Sequence, residues 1–137
     1  MGNERIRKTR EYLSVSIRLK RAYEKPTPGD GCRILVERLW PRGLSKDAAK
    51  VDFWAKDAAP SRDLRKWFDH DSEKWEEFKA RYFAELDSRS EVVALIKRRL
   101  RHGRVTFIFA SKEERFNNAV ALKEYLEQQG QRQKRKS

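Results

Sequence analysis

Three runs of hydrophobic residues along the chain predict β-strands. Residues 15–19 alternate between apolar and polar side chains, which predicts a half-buried strand near a sheet edge. The short apolar run at residues 34–36 predicts a buried strand, and the continuous apolar run at residues 105–110 predicts a strand that is buried on both faces. We expect residues 105–110 to form the central strand of the sheet, because their run is the longest and has almost no polar residue.

Serine residues mark the starts of two helices that follow the second strand. Ser45 is placed to cap a short helix at residues 46–50, and Ser61 is placed to cap a second helix. The second helix has an apolar face formed by Leu64, Trp67 and Phe68. The Asp-His-Asp triplet at residues 69–71 ends it.

Helical spacing of apolar residues continues on both sides of the strand at residues 105–110. A stripe predicted to lie in the core consists of Trp75, Phe78, Tyr82 and Leu86. Ser88 and Glu91 have the spacing of a capping box and predict the start of the next helix, which Gly103 ends. The last helix follows residue 110 and is expected to end at Gly130.

Alternation of strands and helices predicts the fold class and the domain organisation. The expected fold is a small single-domain α/β sandwich with a mostly parallel sheet flanked by helices. Residues 14–130 would form this domain. Residues 1–13 would be a basic, frayed N-terminus, and residues 131–137 a basic, disordered tail.

Composition and charge narrow the class of protein. The 137 residues carry a net charge of +12, but most of the excess lies at the two ends, in residues 1–21 and 128–137. Basic ends of this kind bind polyanions weakly and in a salt-dependent way. No apolar run is long enough to span a membrane, so no membrane partner is expected. Cys32 is the only cysteine, which fits a reducing compartment and predicts a cytoplasmic protein.

Candidate binding residues follow the ends of two predicted strands. Arg38, Trp40 and Arg42 come after the strand at residues 34–36, while Lys112 and Asn117 come after the strand at residues 105–110. Open α/β sheets bind ligands beyond the carboxyl ends of their strands, so these loops would form one basic site for a phosphate, a carboxylate or a nucleotide.

A structural interpretation of the same residues remains open. The arginines would then pair with nearby carboxylates, and Trp40 would cover the core. Ser111 has capping-box spacing to Glu114, and Asn117 would complete the same helix cap. There is no Walker sequence and no Gly-x-Gly-x-x-Gly motif, and we predict no cofactor.

Residues that could support catalysis are few, and the catalytic residues stay unknown. Glu37 lies within a strand pattern, where a buried carboxylate acts either as a general base or in a structural ion pair. His70 and His102 are the only histidines and Cys32 is the only cysteine, so no metal site is predicted. Cys32 has no histidine beside it in sequence and is expected to be a small buried hydrophobic residue.

Several motifs together resemble the YeaO-like family, also called domain of unknown function 488. They are Lys-Arg-Ala-Tyr-Glu at 20–24, Asp-Gly-Cys-Arg-Ile-Leu-Val-Glu-Arg-Leu-Trp-Pro-Arg-Gly at 30–43, Ala-Pro-Ser at 59–61, Leu-Arg-Lys-Trp-Phe at 64–68 and Ser-Lys-Glu-Glu-Arg-Phe-Asn-Asn-Ala-Val at 111–120. The resemblance spans about residues 17–126 and implies a compact bacterial or archaeal α/β domain without an agreed activity.

The resemblance also assigns importance to particular residues. Those carried over are Arg33, Arg38, Trp40, Arg42, Lys112 and Asn117. Two positions depart from the family pattern, because the family usually has Asp where Glu37 stands and often has His where Phe116 stands. A histidine-based mechanism is therefore not carried over to this chain.

The sequence thus predicts a cytoplasmic protein with a basic, anion-binding cleft for a phosphorylated or nucleotide-like ligand. Arg38, Arg42 and Lys112 would hold the anion, Asn117 would orient it, and Trp40 would line the site or stack on a ring. One alternative is a nucleic-acid-binding accessory protein that uses its basic termini and Trp40. Another is a protein-interaction module built on the aromatic helix faces. Whether the protein is an enzyme, and its oligomeric state, are left open.

Overall fold

A parallel four-stranded sheet forms the centre of the computed structural model, which describes the backbone of residues 17–136 and the side chains of residues 17–130. The strands are β1 (Ile17–Arg21), β2 (Cys32–Leu35), β3 (Phe53–Trp54) and β4 (Val105–Phe109). Their order in the sheet is β1-β4-β2-β3, and every neighbouring pair is parallel. The predicted α/β fold with a parallel sheet is confirmed.

Strand β4 lies inside the sheet and is buried along its whole length. It pairs with β1 from Ile17 opposite Val105, and with β2 from Cys32 opposite Val105. The prediction of a central strand at residues 105–110 is therefore confirmed, and so is the prediction that the first strand, β1, lies at a sheet edge. Because these strands run in the same direction, the chain leaves β2 and β4 at the same edge of the sheet.

Five helices surround the sheet within the described residues. They are α1 (Lys46–Ala49), α2 (Arg62–Phe68), α3 (Trp75–Asp87), α4 (Ser90–His102) and α5 (Asn118–Lys136). Short 3-10 turns lie at Pro28–Asp30, Lys56–Ala58 and Ser72–Lys74. The two predicted serine caps are present, since the hydroxyl of Ser45 accepts from the N–H of Ala48 and that of Ser61 from the N–H of Leu64.

The main core lies on one face of the sheet, where α2 to α5 contribute buried side chains. All members of the predicted stripe are buried: Trp75, Phe78, Tyr82 and Leu86. Phe78 stacks on Phe68 of α2 with ring centroids 4.4 Å apart. On the opposite face, Leu35 and Ile108 form a smaller cluster that Trp40 and Trp54 cover. Within the described residues, the larger helices therefore flank mainly one face of the sheet.

Two helix boundaries differ from the sequence prediction. Ser88 does not cap α4, because its hydroxyl donates to the carbonyl of Glu85 at 2.7 Å and so completes the end of α3. Helix α4 begins at Ser90, so its N-cap position is Arg89, which provides no side-chain cap. Helix α5 continues to Lys136, beyond Gly130. A glycine inside a helix costs only about 1 kcal/mol, so it does not necessarily end the helix.

Three further predictions concern the ends of the chain and the membrane. The frayed segment predicted at residues 1–13 lies outside the described residues, and so does Val15 of the first predicted strand. The predicted division into one domain with two basic ends stays a prediction. Among the helices described here, none is both long and apolar enough to cross a membrane.

Candidate functional site

A cleft of about 360 Å³ opens beyond the carboxyl ends of β2 and β4. This volume is in the range of small-molecule sites. The polar lining consists of Glu37, Arg65, His70, Ser111, Asn117 and Asn118. The apolar lining consists of Pro60, Phe68, Phe78, Ala110 and Phe116. The cleft therefore combines polar side chains from the strand ends and α2 with an aromatic lining.

Glu37 supplies the carboxylate of this cleft. Its Oε1 accepts a hydrogen bond from the backbone N–H of Ala110 at 3.4 Å, so it joins the two strand ends. Burial raises the pKa of Glu37, while the hydrogen bonds from Ala110 and Asn118 and the charge of Arg65 act in the opposite direction. Among the described residues, no cation lies within 4 Å of the carboxylate, so the structural ion pair considered from the sequence is absent there.

Arg65 supplies the positive charge of the cleft, and the sequence reasoning did not single it out. It lies on α2 between the buried side chains of Leu64 and Phe68, and its Nε is buried without a hydrogen-bond partner. In the part of the chain that the structure describes, its guanidinium forms no ion pair. Its sequence position beside Leu64 gave no usable signal, because an arginine there can equally well be solvated.

Asn117 and Asn118 hold the N-terminus of α5 against the cleft. Asn117 is buried, and its Oδ1 accepts from the N–H of Val120 at 3.0 Å while its Nδ2 donates to the carbonyl of Glu113 at 2.8 Å. The side-chain amide of Asn118 donates to the carbonyl of Val36 at 2.5 Å. The positive end of the helix dipole therefore lies at the cleft.

Ser111 also lines the cleft, but it does not form the predicted capping box with Glu114. Its hydroxyl accepts from the N–H of Glu113 at 3.0 Å, which forms a local turn ahead of α5. The helix begins seven residues later, at Asn118, so the cap is supplied by Asn117 instead. The capping-box pattern gave the wrong residue because the turn separates it from the helix.

The predicted anion-binding residues occupy different places. Asn117 lines the cleft, and Lys112 is exposed directly after Ser111. Arg38 instead lines a second cavity of about 550 Å³ beside Arg89 and Glu91. Arg42 is exposed, and its backbone carbonyl accepts from the hydroxyl of Tyr23 at 2.9 Å.

Trp40 and Arg33 make structural contacts away from the cleft. The indole of Trp40 packs edge-on against Trp54, with centroids 5.4 Å apart, and its Nε1 donates to the carbonyl of Leu44 at 2.5 Å. Arg33 is buried at the opposite end of the sheet, where its Nη1 lies 2.7 Å from Oδ2 of Asp30. Trp40 thus lies on the other face of the sheet, whereas Arg38 lies beside the start of α4.

His70 and Cys32 are the remaining candidates for a chemical role, and each has few contacts. His70 lines the cleft with a left-handed backbone, φ 58°. Cys32 is partly buried, with its Sγ 3.5 Å from Nη1 of Arg99. Within the described residues, no group of three or more His, Cys, Asp or Glu side chains could hold a metal ion.

Fold and cleft define a small α/β protein whose candidate binding site lies at the carboxyl edge of a parallel sheet. The model of the inactive DUF488-N3 subclade matches residues 16–137. The chain belongs to this DUF488 family.

Relatives in two bacteria support the same assignment. The uncharacterised protein Rv3073c of Mycobacterium tuberculosis is 38% identical over 110 residues, which cover 80% of this chain and 92% of the relative. The uncharacterised protein YeaO of Escherichia coli is 33% identical over 112 residues, which cover 82% of this chain and 97% of YeaO. No solved structure matches the chain.

Proposed function

We propose that this protein binds a small anionic ligand, phosphorylated or nucleotide-like, in the cleft between the ends of β2 and β4. The observation that carries the proposal is the guanidinium of Arg65, which lines the cleft without an ion pair among the described residues. A partly buried guanidinium that forms no direct ion pair, and whose Nε lacks a hydrogen-bond partner, favours an anion that supplies charge and hydrogen bonds. The N-terminus of α5 adds a second favourable interaction with the same anion.

The aromatic lining suits the uncharged part of such a ligand. Phe68, Phe78 and Phe116 contribute aromatic rings to the lining of the cleft. A ligand with a ring and one acidic group would bury the ring against these side chains and place the anion near Arg65. Lys112, which is exposed and directly follows the lining residue Ser111, would supply a second cation at the rim of the cleft.

The role proposed here is binding without catalysis. The matching family model is described as an inactive subclade. The two positions that depart from the family pattern, Glu37 and Phe116, both line the cleft. A phenyl ring at position 116 can neither donate nor accept a proton, whereas the histidine often found there could do both.

Glu37 would contribute to binding in its protonated form. Burial raises the pKa of Glu37 and so extends the pH range in which its carboxyl group is neutral and can donate a hydrogen bond to an anionic ligand. The ionised form would repel the same ligand. Asn117 would act indirectly, by fixing the helix N-terminus at the cleft.

Calorimetric titration with adenosine monophosphate and with inorganic phosphate tests this proposal. Arg65→Ala should weaken binding by about 10- to 100-fold, the effect of losing a charge-assisted hydrogen bond. Arg62→Ala is the matched control, because Arg62 lies exposed on the same helix and does not line the cleft. Equal affinity of the Arg65 variant and the wild type, with both folded, would contradict the proposal. So would the absence of binding by the wild type.

A further inference from the structure

Arginine and lysine side chains accumulate at the end of the molecule opposite the cleft. We call this group the basic patch: Arg18, Lys97, Arg98, Arg99, Arg101 and Arg104. Between Val92 and Lys112 the chain contains no Asp or Glu at all. The patch combines the C-terminal part of α4 with the start of β4 and with β1.

The fold brings these cations together from three elements. Arg98 and Arg101 are exposed on α4 at i and i+3, a spacing that places them on the same side of the helix. Arg104 directly precedes β4, and Arg18 lies on the neighbouring strand β1, opposite Thr106. The Nη1 atoms of Arg18 and Arg104 both approach within 4 Å of the position that a Cβ on Gly29 would take.

Arg99 extends the patch along the same edge of the sheet, towards β2 and β3. Its guanidinium lies over the ring of Phe53 at 4.6 Å, and its Nη1 lies 3.5 Å from Sγ of Cys32. The patch therefore follows the amino-terminal edge of the sheet from β1 past β4 to β2 and β3. An elongated arrangement of this kind fits an extended anion better than a single small one.

No carboxylate neutralises the basic patch within the described residues, where none of its members forms an ion pair. Nearby Asp30 is buried and paired with Lys20 and Arg33. Loss of water contact, and to a lesser extent the charge of Arg101, lower the pKa of Lys97.

The helix dipole explains only part of this accumulation. Cations stabilise the last turn of a helix, which accounts for Arg99 and Arg101. The effect falls off within one turn, so it does not account for Arg98, Arg104 or Arg18. Like charges without counterions on a folded surface repel one another and destabilise the fold. A bound partner of opposite charge relieves this repulsion.

We propose that the basic patch binds the phosphate backbone of a nucleic acid. A duplex presents one negative charge per about 1.7 Å of its axis, so it can engage several guanidiniums along the edge at once. Arginine predominates in the patch, and its planar group pairs well with phosphate oxygens. On α4 the large exposed hydrophobic residue is Leu95 alone, which gives little apolar area for insertion into a membrane. The surface is separate from the cleft and independent of the function proposed for it.

Fluorescence anisotropy with a labelled DNA duplex, between about 50 and 200 mM salt, tests the patch in the full chain. The double variant Arg98→Ala/Arg101→Ala should reduce the slope of log K against log salt by about 1.8, since each lost phosphate contact removes about 0.9. The matched control is Arg62→Ala/Lys66→Ala, which removes the same charge from exposed positions on α2. The control should leave the slope unchanged. Thermal melts of each variant establish that it is folded.

Several outcomes would overturn the proposal. Equal slope changes in the patch variant and the control would show that net charge alone drives binding. An unchanged slope in the patch variant would assign binding to other residues. Binding of the wild type to phosphatidylserine vesicles, lost in the patch variant while DNA binding is retained, would identify a membrane surface instead. Parallel titrations with single-stranded DNA and duplex RNA distinguish the kinds of nucleic acid, and a patch-dependent slope with any of them supports the proposal.

Discussion

The carboxylate of Glu37 and the backbone N–H of Ala110 meet at 3.4 Å, although the two residues are 73 positions apart in sequence. Glu37 lies beyond the end of β2 and Ala110 directly follows β4, so this contact joins neighbouring strand ends. It forms within the cleft, which both residues line. The protonation of one side chain is thereby linked to the geometry of the candidate site.

The variant Glu37→Gln should change how stability depends on pH. Because the folded state raises the pKa of Glu37, it binds the proton more tightly than the unfolded chain does. The associated stability is fully present below the ordinary glutamate pKa and is lost as the pH rises through the raised value. The variant mimics the protonated form, so its stability relative to wild type should increase from about pH 4 to pH 7. Urea unfolding at both pH values measures this, with exposed Glu91→Gln as control. A pH-independent difference would contradict it.

Asp30→Asn should destabilise the protein by about 3–5 kcal/mol, because it leaves Arg33 buried without its counterion. Asp30 also pairs with Lys20 at 3.1 Å. Burial tends to raise the pKa of Asp30, but hydrogen bonds from Thr27, Lys20 and Arg33 outweigh it and hold the pKa well below the usual range.

The pH dependence of the Asp30 contribution runs opposite to that of Glu37. The stability that Asp30 provides is present above the ordinary aspartate pKa and is lost as the pH falls below it. Lowering the pH should therefore reduce the stability of the wild type more than that of the Asp30→Asn variant. Chemical denaturation of the two proteins across this pH range measures both effects. A loss under about 1 kcal/mol at neutral pH would show that Arg33 finds another partner.

Gly31→Ala should be far more damaging than Gly43→Ala. Both glycines have positive φ, 65° and 77°, so alanine is strained at either position. At Gly31 an added Cβ would also overlap the backbone carbonyl of Arg104, which accepts from the N–H of Cys32. At Gly43 nothing lies within 4 Å. Thermal or urea unfolding should show a loss of about 1 kcal/mol at Gly43 and more than about 3 kcal/mol at Gly31. Similar losses would mean that backbone strain dominates both.

Trp40→Ala should reduce stability by about 2–4 kcal/mol and leave anion binding unchanged, since the indole packs on Trp54 and covers the smaller core. Trp40→Phe keeps an aromatic ring and loses the hydrogen bond to Leu44, at a cost of about 1 kcal/mol. Urea unfolding combined with titration of adenosine monophosphate separates the two roles. A fully stable Trp40→Ala variant that no longer binds the nucleotide would restore the ligand-stacking role predicted from the sequence.

Local chemistry was readable from the sequence wherever a few neighbouring residues decide the structure. The caps at Ser45 and Ser61 and the buried run at residues 105–110 are of this kind. Arg38 and Lys112 show the limit of such reasoning. Strand direction determines the edge at which the chain leaves the sheet, but contacts such as Trp40 with Trp54 determine the path that follows.

Arg65 was missed for a related reason. Its sequence neighbours indicate a helix, and an arginine beside a buried leucine is equally compatible with a solvated position. Its place in the cleft depends on where α2 lies relative to Glu37 and α5, which are far away in sequence. Spacing within one helix carries no information about that arrangement.

The sheet order has a consequence for synthesis on the ribosome. Among the described strands, β1 and β2 are joined only through β4, which is synthesised last. Of the described pairings, a nascent chain that ends before Val105 can form only the short one between β2 and β3. Assembly of the sheet must therefore wait until most of the chain has emerged, and its long-range pairings favour slow folding. During translation the apolar residues of β2 would be exposed to water until β4 is available. Incomplete chains of this protein are therefore candidates for chaperone binding.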